Sequence, residues 1–178
     1  YSEPVAWGAA VLSGDDNISV TGEYASAWGI GDSGTKVTAS GKGSTAFGSK
    51  TTASNDFATA WGNVTTASGA YATAWGNNTT ASGEFYATAW GNGTTASKIL
   101  TTAWGYDTEA SGEGATAWGY HTHATGDYAT AWGNATTANT EYSTAWGFGT
   151  TAGRVGDESG KYATAWGQDT MAYGTYAT

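Results

Sequence analysis

The sequence predicts an all-β chain wound into a thin solenoid, and three observations carry that reading. A short Ala-aromatic-Gly cassette recurs eleven times, with Trp or Phe at positions 7, 28, 47, 61, 75, 90, 104, 118, 132, 146 and 166. From Phe47 to Trp146 the steps are 14, 14, 15, 14, 14, 14 and 14, far shorter than the roughly 33 to 47 residues of helix-pair repeats. Within each unit small and bulky residues alternate with the period of two that marks a strand. A coil of this length holds two short strands and two turns, and each coil advances one strand spacing of about 4.8 Å along the axis.

With each aromatic numbered zero, the unit reads Tyr(−4)-Ala-Thr-Ala-Trp(0)-Gly-Asn-x-Thr-Thr-Ala(+6)-Ser-Gly(+8), spelled in full from Tyr71 to Gly83. Successive strand side chains face opposite ways, so Ala72 and Ala74 are expected inside a roll only two strands thick. Tyr71, Thr73 and Trp75 are then expected together on the outer face. In the second strand Thr at +4 and Ala at +6, such as Thr65 and Ala67, are expected inside, with Thr66 and Ser68 outside. Gly62, Gly76 and their equivalents are placed at one corner with Asn63, Asn77, Asn92 and Asn134 beside them, and Gly69, Gly83, Gly112 and Gly126 at the other. Such corners need residues that accept positive φ or close backbone approach.

This arrangement puts one continuous aromatic stripe on the outside. It is expected to comprise Trp7, Trp28, Phe47, Trp61, Trp75, Trp90, Trp104, Trp118, Trp132, Trp146 and Trp166, joined at −4 by Tyr24, Phe57, Tyr71, Tyr86, Leu100, Tyr128, Tyr142 and Tyr162. Soluble monomers rarely expose a contiguous apolar patch above a few hundred Å², and each such ring can bury ~150 to 250 Å². The stripe is therefore expected to be covered by self-association around an axis parallel to the solenoid, or by carbohydrate or another apolar partner.

Composition excludes other classes. Lys+Arg 6 against Asp+Glu 15 gives a net charge of −9, which repels nucleic acid and anionic membranes. There are no cysteines, hence no disulfide or thiol chemistry. No run approaches the ~20 apolar residues of a membrane helix, and Tyr1-Ser2-Glu3-Pro4 lacks the basic start of a secretory signal. Any leader or membrane anchor is expected to lie outside these residues. Tyr176-Ala177-Thr178 normally lead into the next cassette, so residues 1–178 are expected to be a single repeat array that stops inside a repeat.

The unit resembles the fourteen-residue repeat of YadA-like head domains of trimeric autotransporter adhesins, Asn-Ser-Val-Ala-Ile-Gly followed by x-x-Ser-x-Ala-x-Gly. Tyr71-Ala72-Thr73-Ala74-Trp75-Gly76 and Thr79-Thr80-Ala81-Ser82-Gly83 match it, with Tyr, Thr and Trp in place of Asn, Val and Ile on the face that packs against the trimer axis in the family. The resemblance implies a left-handed parallel β-roll assembled as a side-by-side homotrimer. It also implies a bacterial outer-membrane location, facing outward, and non-enzymatic attachment to host cells or matrix proteins. Of the stripe residues, the ten position-zero rings from Trp28 to Trp166, with Tyr71, Tyr86, Tyr128 and Tyr142, would then form the trimer interface. Any neck, coiled-coil stalk and membrane anchor are expected to lie outside residues 1–178.

Three insertions break the array, near 9–20, 31–36 and 154–160. They are read as corner loops that shape ligand choice or simply decorate the surface. His121 and His123 are expected to point the same way, but with no Cys and no fixed carboxylate partner no metal is assigned. Asp15-Asp16-Asn17 lacks the ordered series and closing Glu of a calcium loop. Sequons at Asn17, Asn63, Asn77, Asn78, Asn92 and Asn134 are by-products of Asn beside the Thr strand. No cofactor is implied.

Two other functions compete with adhesion. An ice-binding array would use the outward series Thr66, Thr80, Thr95, Glu109, His123, Thr137 and Thr151, which Glu109 and His123 interrupt. An enzyme would need paired carboxylates; Glu109, Glu113 and Asp127, or Asp157 and Glu158, come with no nucleophile or deep pocket.

Overall fold

A computed structural model describes residues 5–6, 18–31, 35–154 and 160–178. Two parallel sheets of eleven strands each run through the described residues, one built from the first strand of every coil and the other from the second. The long strands carry the aromatic cassette, as in Thr73–Asn77, and the short ones are mostly two residues, as in Thr80–Ala81. Pairing is strictly one coil to the next. Trp75 lies opposite Trp90 in one sheet and Thr80 opposite Thr95 in the other. The chain is thus a parallel β-solenoid of fourteen-residue coils.

The core is as thin as the alternation requires. Ala72, Ala74 and Ala81 are completely buried, as are their equivalents along the roll, together with the +4 threonines from Thr51 to Thr150. Larger side chains would force the walls apart. The extra residue in the fifteen-residue step is absorbed at a corner, where Ala70 bridges Phe85. Trp75 and Trp90 on either side still stack at 5.1 Å with planes 2° apart.

The corners depart from expectation. Gly76 and its equivalents lie inside the long strand, with φ of +126° at Gly76, and a Cβ there would overlap the carbonyl oxygen of Gly91 in the next coil. The left-handed corner residue is instead +3, represented by Val64, Asn78, Asp107, His121, Ala135 and Asp169 at φ of 51–53°. Asn63, Asn77, Asn92 and Asn134 end the long strand rather than forming the turn. At the second corner Gly69 serves close approach, since a Cβ would strike the carbonyl of Gly83.

The insertion near 9–20 is shorter than expected, because Ile18–Val20 is a strand paired with Val37–Ala39. Residues 7–17, 32–34 and 155–159 lie outside the described residues, and with them Trp7, Asp15-Asp16-Asn17, Asp157 and Glu158.

Candidate functional site: the aromatic ladders

The expected single stripe resolves into two columns. At position zero ten rings from Trp28 to Trp166 form an unbroken ladder with centroids 4.8–5.9 Å apart. From Trp104 to Trp146 adjacent planes lie within 2–3° of parallel. Phe47 is the exception, standing edge-on at 84° to both Trp28 and Trp61. Offset stacking contributes about 0.5–1.5 kcal/mol per pair beyond burial. The stack nevertheless leaves Trp104 39 % and Trp28 50 % exposed, while Trp118, Trp132 and Trp146 are half-buried.

The −4 residues are not on the strand face with Trp. Tyr71, Tyr86, Tyr128 and Tyr142 sit in the turn before the strand with φ of 57–59°, a conformation uncommon for any residue but Gly and Asn. Each turn is held by a backbone bond to the preceding coil, as when Tyr71 N–H donates to the Asp56 carbonyl at 2.8 Å. Their rings form a separate ladder in two segments, Phe57-Tyr71-Tyr86 and Tyr128-Tyr142-Tyr162-Tyr176, with centroids 5.0–5.3 Å apart. Leu100 and Gly114 interrupt it. Two glycines in the same column, Gly43 and Gly114, were the sequence signal for a left-handed position.

A third short stack escaped the sequence reading. Tyr106 and Tyr120, at +2, lie 5.1 Å apart, and His121 stands edge-on to both.

The two histidines have carboxylate partners, contrary to expectation. His121 Nδ1 lies 2.6 Å from Asp107 Oδ2 and His123 Nδ1 3.6 Å from Glu109 Oε2. Each acid is one coil earlier, so the pairs cross-link neighbouring coils. Among the described residues no group of three or more His, Asp or Glu is arranged to hold a metal ion.

The acids weighed for catalysis make local bonds. Asp127 accepts from the Glu113 N–H at 2.8 Å, and Tyr128 Oη donates to Glu113 at 3.5 Å. The Glu113 charge is the main reason the Tyr128 phenol is held above its ordinary pKa; desolvation and the neighbouring Tyr142 and Asp127 add to it.

No curated protein matches the chain significantly. The family model of the YadA head domain repeat, written as two copies, matches residues 39–63, 67–94, 96–122 and 124–150, so that its register follows the same fourteen-residue coils that stack the two ladders. These segments make up more than half of the chain, which therefore belongs to the YadA head repeat family, a family of adhesin-type domains.

Proposed function

We propose that this chain is the head of a homotrimeric surface adhesin, with three left-handed rolls side by side around the Trp ladder. The observation that carries the reading is that ladder: ten rings in one unbroken column on one face, most of them exposed in the single chain. Covering them by symmetric association removes a large apolar surface from water. Trp28, Phe47, Trp61, Trp75, Trp90, Trp104, Trp118, Trp132, Trp146 and Trp166 would form the centre of the interface, with Tyr71, Tyr86, Tyr128 and Tyr142 at its edge.

The mechanism is presentation. A stiff rod on the outer face of a bacterial outer membrane offers its Thr/Ser strands and corner loops to a host surface or matrix protein, and weak contacts are multiplied by three chains and by many copies. Ice binding is disfavoured, because the outward Thr column is broken where Glu109 pairs with His123.

Light scattering on the purified chain, with Trp emission recorded alongside, tests the reading. A mass of three times 18.1 kDa with blue-shifted emission supports it. A monomer with red-shifted emission would leave the ladder open and sink the trimer.

A further inference from the structure

Resting on the trimeric reading, we infer that neighbouring rolls dock edge to edge in the same layer, the −4 column of one copy completing the +2 column of the next. In a cyclic trimer each contact is heterologous, joining one edge of a chain to the other edge of its neighbour. The Trp sheet has two such edges. Residues −2, 0 and +2 point outward from each long strand, and the −4 residue sits in the turn on the opposite side of Trp from +2.

Eight coils, those of Phe47 to Trp146, follow one another without a long insertion, and in the inner six, from Phe57 to Asn134, the two edges complement each other. The coils of Trp61, Trp75, Trp90 and Trp132 place Phe57, Tyr71, Tyr86 and Tyr128 at −4 and Asn at +2. In the coils of Trp104 and Trp118 the order inverts, with Leu100 and Gly114 at −4 and Tyr106 and Tyr120 at +2. Each of these six layers therefore has one ring at its two edges.

Packing within one chain does not explain this. Positions −4 and +2 are six residues apart on either side of Trp, on the order of 15–20 Å at the rise of a strand. A same-layer junction between copies accounts for it, because each ring then meets a side chain that carries no ring: Asn at +2, or Leu100 or Gly114 at −4. Slipping the copies by one coil in either direction destroys the match. One slip sets Tyr120 against Tyr128 and Asn92 against Leu100; the other sets Tyr106 against Tyr86 and Asn134 against Gly114. The two outer coils of the run break the pattern, Gly43 with Ser49 giving no ring and Tyr142 with Phe148 giving two, so the rule belongs to the central six.

The absence of native cysteines makes a direct test possible. The double variant Gly114→Cys/Tyr120→Cys cannot close within one chain, since a disulfide needs Cα atoms within about 7 Å. After mild oxidation it should run as a covalent trimer on a non-reducing denaturing gel, while each single variant stays monomeric. Tyr71→Cys/Asn77→Cys repeats the test in a layer of the opposite kind, and Gly114→Cys/Asn134→Cys, the slipped pair, should not link. Light scattering before oxidation separates the two readings. A three-chain mass without covalent trimer from either same-layer pair, or with linkage from the slipped pair, overturns the edge pairing and leaves the trimer standing. A one-chain mass overturns both.

Discussion

Trp146 and Trp166 are twenty residues apart in sequence, yet they stack at 5.6 Å with planes 14° apart, as if one ordinary coil joined them. The extra residues therefore leave the ladder at a corner without displacing it. The two ends of the insertion also meet, since a Cβ on Gly160 would come within 2.9 Å of the Gly153 Cα.

Deleting residues 155–159 should for that reason preserve the fold. Loop closure changes little when the ends already adjoin. The expected result is an unfolding midpoint within a few degrees of the parent and the same mass by light scattering; a collapse of either would show that the loop holds the last coils in place.

The buried threonines give a second prediction. Thr79 and Thr94 are fully buried, and their hydroxyls have no hydrogen-bond partner. An unsatisfied buried hydroxyl costs about 1–3 kcal/mol, and valine has nearly the same shape. Thr79→Val and Thr94→Val should each raise the thermal midpoint by about 2–4 °C, the shift expected for ~1 kcal/mol in a chain of this size. A fall would mean that the column bonds along its own length.

Tyr128 supplies a pH prediction. Its pKa is raised above 10.0, first by the charge of Glu113, so the folded chain holds the phenolic proton more tightly than the unfolded one. The associated stability is fully present below pH ~10 and is lost as pH rises through the higher folded value. Glu113→Gln should move one tyrosine to an earlier midpoint in an alkaline absorbance titration; an unchanged curve would remove Glu113 as the cause.

What could be read from the sequence followed from side-chain size. Ala72, Ala74, Thr79 and Ala81 are inside because nothing larger fits, and the alternation records that directly. The coil-to-coil ion pairs were equally open to reading, since Asp107 to His121 and Glu109 to His123 each span fourteen residues. Backbone conformation was hidden. Tyr at −4 is a good strand former in phase with Thr at −2 and Trp at zero, so its left-handed turn looks like two more strand residues. The complementary edges stayed hidden for another reason: they become meaningful only once the register sets Asn92 beside Tyr106 and Tyr120 beside Asn134.

The left-handed columns make the last prediction, in which one kind of substitution should act in opposite directions at two corners. Val64 is a β-branched residue at φ 53°, 44 % exposed, in a column where other coils use Asn78 and Gly93. A left-handed conformation costs a bulky residue roughly 1–2 kcal/mol, and Asn tolerates it far better. Val64→Asn should therefore stabilise the chain by about 1 kcal/mol. Tyr71 is equally left-handed at φ 58°, but its ring stacks on both Phe57 and Tyr86 at 5.1 Å. Tyr71→Asn relieves the same backbone cost and forfeits two stacks of about 0.5–1.5 kcal/mol each together with their buried area, so it should lower the midpoint. Thermal unfolding followed by circular dichroism decides it: if both variants rise, the stacks contribute little and the −4 ring is retained for what covers it; if both fall, Val64 makes contacts that outweigh its backbone.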